Sequence, residues 1–164
     1  MNEILPPVTL ILGGQRSGKS RLAETLIEDA AGGGLYLATA EARDGEMTDR
    51  IAAHRARRGA DWETIEEPLD ILEQIREHAA PGRPVLVDCV TLWLSNLMAA
   101  GRDPESEVET LARGLDGLGG PVVFVSNEVG LGVIPANALA RSFADAAGLA
   151  NQRLAARADR VVFT

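Results

Sequence analysis

The chain is punctuated by short apolar runs too continuous to have a wet face. Val8-Thr9-Leu10-Ile11-Leu12, Leu35-Tyr36-Leu37-Ala38-Thr39, Pro84-Val85-Leu86-Val87-Asp88 and Val122-Val123-Phe124-Val125-Ser126 have strand length and strand composition. Trp62 to Glu66 and Val161-Val162-Phe163 read as two shorter strands. Helical pattern fills the intervals: Ser20 to Ala31, about Glu46 to Arg58, Pro68 to His78, a stretch after Asp88, Pro104 to Leu118, and Pro135 to about Ala158. Strands apolar on both sides must be covered on both sides, and alternation with helices achieves this as a parallel sheet between helix layers. The sequence thus predicts an α/β fold, a mostly parallel central sheet with helices on both faces. At 164 residues the expected organisation is a single domain spanning 1–164.

The first strand runs directly into Gly13-Gly14-Gln15-Arg16-Ser17-Gly18-Lys19-Ser20, which satisfies the phosphate-loop pattern G-x-x-x-x-G-K-[ST]. A buried strand before it and a helix after it are the context that pattern requires. A glycine turn that merely joins strand to helix is the alternative. Against it stands Lys19, the one lysine among 16 lysines and arginines. A compact ammonium fits a tight glycine loop where a planar guanidinium does not, and it can reach the β- and γ-phosphates of a nucleotide. Backbone N–H groups at the helix N-terminus would complete the cradle, and the Ser20 hydroxyl would face Mg²⁺. The fold class sharpens to P-loop NTPase-like.

A net charge of −8 argues against nucleic-acid binding, because most of the surface would repel a phosphate backbone. Cys89 is the only cysteine, so neither an intrachain disulfide nor a cysteine metal cluster is expected, which suits a reducing cytoplasm. The N-terminal sequence lacks the basic start and apolar stretch of a signal peptide, and no apolar run has membrane-spanning length. The expectation is a cytoplasmic protein without a membrane span.

In a parallel sheet, ligands gather at the carboxyl ends of the strands. The phosphate loop, Ala38-Thr39-Ala40, Asp88 and Asn127-Glu128 all fall there. Asp88 after an apolar strand suits the acid that holds Mg²⁺ beside a phosphate loop, or else it caps the following helix. Gly32-Gly33-Gly34 reads as a connector, since no helix start follows it. His54 lies between Arg50 and Arg57 at helical spacing, and Arg50, Arg55, Arg57 and Arg58 fall within nine residues. Such a cluster could hold a polyphosphate and, by like-charge repulsion, keep the imidazole neutral and nucleophilic. On composition alone a solvated helix face is the better reading.

Taken in order, GGQRSGKS, YLATA, EMTDRIAAHRARR, VLVDCVTLWLSNL and NEVGLGVIPANALARSFADAAGLANQRLAARAD resemble the bifunctional adenosylcobinamide kinase/adenosylcobinamide-phosphate guanylyltransferase family of cobalamin biosynthesis. The resemblance covers nearly the whole chain. It implies two reactions: phosphorylation of adenosylcobinamide by ATP or GTP, then transfer of GMP from GTP through an enzyme histidine to adenosylcobinamide phosphate. The matching histidine is His54, which reverses the composition-based reading.

The resemblance further implies that Gly13, Gly14, Gln15, Arg16, Ser17, Gly18, Lys19 and Ser20 cradle phosphates, with Ala38, Thr39 and Ala40 lining the site. Arg55, Ala56, Arg57 and Arg58 would contact the nucleotide beside the nucleophile, as would Glu66 and Asp88. Lys19 and His54 would be the catalytic pair, with Ser20 and Asp88 on the metal. Glu66 suits guanine, whose N1–H and exocyclic amine one carboxylate can accept together. A homotrimer is implied as well. The resemblance departs at Val162-Phe163-Thr164, where relatives usually continue the strand and add a short tail, so trimer contacts and corrinoid binding follow less directly. The competing functions are a single-activity P-loop small-molecule kinase and a nucleotide-dependent switch.

Overall fold

The computed structural model describes residues 4–41 and 45–164, except the side chains of Glu46, Met47, Arg50, His54 and Arg57. In chain order its elements are β1 (Val8–Gly13), α1 (Lys19–Ala31), β2 (Leu35–Ala38), α2 (Gly45–Arg57), β3 (Glu63–Glu66) and α3 (Ile71–His78). There follow β4 (Val85–Asp88), α4 (Val90–Ala99), α5 (Pro104–Gly114), β5 (Val122–Asn127), α6 (Ala138–Arg157) and β6 (Arg160–Phe163). Among the described residues the strands form one six-stranded sheet in the order β3-β2-β4-β5-β1-β6. Every neighbouring pair is parallel.

Strand order determines which helices cover which face. From β1 the chain moves toward β2 and then β3 at one edge; from β3 it returns through β4 and β5 to β6 at the other. Because crossovers between parallel strands are right-handed, a reversal of direction sends the later helices to the opposite face. The apolar side chains follow. Leu10, Leu37, Val87 and Phe124 pack with Ile75, Trp93, Leu111 and Leu154 from α3 to α6. Ile11, Tyr36, Leu86 and Val125 pack with Ala23 and Ile27 of α1. Odd and even positions of one strand feed opposite cores, the period of two expected of a doubly covered sheet.

Two helices begin later than the sequence pattern suggests. α3 starts at Ile71 rather than Pro68, because the Glu67 carboxylate accepts the N–H groups of Leu69 and Asp70, both at 2.9 Å, in a turn of its own. α6 starts after Asn137 rather than at Pro135: the Asn137 side chain accepts the Ala140 N–H at 3.1 Å and fixes the cap there. α5 ends at Gly114, four residues before the expected Leu118. The glycine triplet is a connector as expected, with Gly32 left-handed at φ +79° and its N–H closing α1 on the Glu28 carbonyl.

Candidate active site

β1 and β5 are adjacent but send their chains to opposite faces, so their carboxyl ends part and leave a crevice. The phosphate loop fills one side of it. Gly18 at φ +94° and Arg16 at φ +57° turn the loop through the left-handed region, and α1 begins at once with Lys19. Gly13 has no space for a side chain, since a β-carbon there would stand 2.7 Å from Ser17 Oγ. Lys19 is only 6% exposed, and its ammonium donates to the Gly14 carbonyl and, at 3.4 Å, to Ser17 Oγ. Burial pulls this lysine below its ordinary range, while Cys89 and Asp88 act in the opposite sense.

Asp88 ends β4 facing the loop. The Tyr36 hydroxyl donates to its Oδ2 at 2.8 Å, across the diagonal that the register Ala38↔Asp88 creates on the α1 face. Burial, reinforced by Asp88, holds the phenol of Tyr36 far above its ordinary range, so it remains a donor. The capping alternative for Asp88 does not hold: it is Cys89, through Sγ, that accepts the Leu92 N–H at the start of α4. Burial likewise pushes the Cys89 thiol up, and the adjacent Asp88 adds to the effect.

Two cavities meet at Asp88. The larger, about 450 Å³, is bounded by Arg16, Ser17, Lys19, Ser20, Asp88 and Asn127. The smaller, about 170 Å³, lies on the β2 side between Ser20, Ala38, Ala40, Ile51, Arg58 and Asp88. Ser20 and Asp88 thus belong to both. Gln15 borders a third hollow with Thr91, Asn127 and Glu128.

The remaining expected residues are distributed unevenly. Ala38 and Ala40 line the smaller cavity, but Thr39 turns away: its hydroxyl donates to the Cys89 carbonyl at 2.8 Å and accepts the Cys89 N–H at 2.9 Å. Arg58 is buried, 3.5 Å from a Glu24 oxygen and with its guanidinium 3.5 Å above the Tyr36 ring centre. Arg55 and Ala56 are exposed on α2. Glu66 is exposed at the end of β3, in register with Ala38. His54 belongs to α2; its side chain, like that of Arg57, lies outside the described residues.

Asn127 lies at the edge where the sequence placed it, whereas its partners, and Glu24 and Tyr36, escaped sequence reasoning. Asn127 donates to Thr91 Oγ1 at 2.7 Å, and Ser126 donates to Asn151 Oδ1 at 2.6 Å, fastening the end of β5 to α4 and α6. Glu24 and Tyr36 complete the surroundings of Arg58. The one available signal was Tyr36 itself, the chain's single tyrosine, placed inside an apolar strand where its hydroxyl needs a partner.

A parallel sheet with a phosphate loop at its switch point, a buried lysine and an opposed carboxylate defines a P-loop nucleotide-binding protein. The family model described as cobinamide kinase / cobinamide phosphate guanyltransferase matches residues 9–164. The bifunctional adenosylcobalamin biosynthesis protein CobP of Pseudomonas aeruginosa is 52% identical over 158 residues, covering 94% of this chain and 91% of that protein. CobU proteins of the same description from Salmonella typhimurium and Escherichia coli are 43% and 40% identical, each covering 93% of this chain and 92% of the relative. The chain belongs to the cobinamide kinase / cobinamide phosphate guanyltransferase family and is a bifunctional kinase and guanylyltransferase of cobalamin biosynthesis.

Proposed function

We propose that one triphosphate seat serves both reactions, and that the second proceeds through His54. In the first, the terminal hydroxyl of adenosylcobinamide attacks the γ-phosphorus of ATP or GTP and a nucleoside diphosphate leaves. In the second, a neutral imidazole nitrogen of His54 attacks the α-phosphorus of GTP; an N–P bond forms, the P–O bond breaks, and pyrophosphate departs. A phosphate oxygen of adenosylcobinamide phosphate then displaces the histidine, giving adenosylcobinamide-GDP and free imidazole. The observation that carries the shared seat is the buried Lys19 facing Asp88 across one cavity.

Gly13 to Ser20 hold the phosphates in this reading, with Ala38, Thr39 and Ala40 beside them and Arg55 to Arg57 near the α-phosphate, while Arg58, committed to Glu24 and the Tyr36 ring, secures the end of their helix. Thr39 contributes by bracing the backbone at Cys89. Ser20 and Asp88 offer two hard oxygens at both cavities, a donor set that suits Mg²⁺, which commonly takes one or two protein oxygens and completes its shell with phosphate and water. Bound there, the ion would neutralise developing phosphate charge. Glu66 supplies preference for guanine.

The reading extends to a single nucleotide-binding domain over 1–164, a cytoplasmic setting and a homotrimer. Among the described residues no helix is long and apolar enough to cross a membrane. Leu131, Val133 and Ile134 are each at least 80% exposed, an apolar surface suited to contact between subunits.

Incubation with GTP labelled at the α-phosphate tests the mechanism. Wild type should acquire acid-labile, base-stable label at His54, and His54→Ala none. Label at another residue, or active protein without label, rejects it.

A further inference from the structure

α2, the helix that carries His54, is mostly exposed at its described positions. Among its described positions Ile51 alone is partly covered, and Thr48, Asp49, Ala52, Ala53, Arg55 and Ala56 are exposed. One residue past its end the situation reverses. Arg58 is 7% exposed, paired with Glu24 of α1, within 3.4 Å of Thr64 Oγ1 on β3, and stacked over the ring of Tyr36 on β2. The same tyrosine holds Asp88 through its hydroxyl.

We propose that Arg58 and Tyr36 are positioning residues that couple the histidine helix to the phosphate site: Arg58 fixes the C-terminal end of α2 against α1 and β2, and Tyr36 joins that anchor to Asp88. This inference rests on the assignment of His54 as nucleophile. Arg58 follows His54 by about one helical turn, so a shift at the anchor is transmitted to the nucleophile over roughly 6 Å of chain. Stacking on a ring and pairing with a carboxylate both use the planar guanidinium, and a lysine can reproduce the charge but not the plane. The arginine therefore acts on the placement of His54 rather than as a ligand of the nucleotide, and the guanylyl step depends on it more than the kinase step does.

The experiment compares single-turnover labelling of His54 by α-labelled GTP with steady-state phosphorylation from ATP, in full-length wild type, Arg58→Lys and Tyr36→Phe. Arg58→Lys should slow labelling by about 100-fold, the scale expected when a reacting group is displaced by an ångström. Its phosphorylation rate should fall less than about threefold, with the KM for GTP unchanged. Tyr36→Phe keeps the ring and loses only the donor to Asp88; both reactions should fall together, by about tenfold, the scale of one hydrogen bond to a charged group. Should Arg58→Lys fail to fold, Glu24→Gln weakens the same clamp, and its labelling should slow more than its phosphorylation.

Labelling at the wild-type rate in a folded Arg58→Lys or Glu24→Gln protein overturns the proposal. A raised KM for GTP with unchanged kcat does too, because it would make Arg58 a direct nucleotide contact. Wild type labelled away from His54 removes the parent reading and this inference with it, whereas normal wild-type labelling with unaffected variants removes this inference alone.

Discussion

The crevice between β1 and β5 and the edge formed by β2, β3 and α2 are built to different standards. At the crevice, all of β5 up to Ser126 is buried, and Asn127, Thr91, Ser126 and Asn151 bond one another where the strand ends. At the edge, β3 is exposed at both ends, Glu63 and Glu66, and only half-buried between them, and Arg58 is a buried polar anchor. In the proposed reading, phosphate is gripped where the sheet is most deeply buried, while the nucleophile rides on a helix whose described positions are mostly exposed. A seat used by two donors gains from rigidity. A group that must attack one substrate and then surrender its load to another is better placed on a less constrained element.

The strongest challenge to this contrast is Lys19→Ala. Both activities should fall by about 10³-fold, the scale of losing a preorganised charge beside a developing anion, and Lys19→Arg should recover little. Retained guanylyl transfer would mean that the two regions do not share a seat. Next in size is a stability comparison. Phe124→Ala, in the doubly covered centre, should cost about 3–5 kcal/mol in denaturant unfolding, whereas Ile51→Ala on α2 should cost about 1 kcal/mol. Equal losses would show that α2 is part of the main cooperative unit.

Smaller effects probe the edges of each region. Glu66→Ala should leave triphosphate affinity largely intact while reducing the preference for GTP over ATP by about 10- to 100-fold, measured by competition for labelling. An unchanged preference would move base selection away from β3. Finally, the single cysteine reports on the crevice. Its reactive form is the thiolate and its pKa is raised, so less thiolate exists at any given pH, and alkylation by iodoacetamide should still be climbing above the ordinary thiol range near pH 8.5. Bound GTP should slow it further, since Cys89 borders both cavities.

The central strands and the phosphate loop were legible in the sequence because their signals are local: continuous apolar runs, and a glycine pattern that ends one of them. The helix starts at Ile71 and Ala138 were not, because Glu67 and Asn137 compete for backbone N–H groups in a way that periodicity does not register. Arg58 illustrates the same limit at longer range. In sequence it is one arginine of a cluster; its partners Glu24, Tyr36 and Thr64 come from three other elements, brought together by the register of β2 with β3 and by the position of α1. Thr39 resembled a site residue by position, yet its hydroxyl is committed to the backbone of the neighbouring strand end.

The seat proposed for Gly13 to Lys19 is largely main chain, and main-chain N–H groups cannot read which nucleoside lies beyond a phosphate they would hold. Adenosine and guanosine triphosphates present the same three groups to it. The loop is thus an indifferent grip, and whatever tells one nucleotide from another, or one acceptor from the next, must be written in side chains elsewhere on the rim. An enzyme with two successive tasks can change its vocabulary there without altering how it holds the donor.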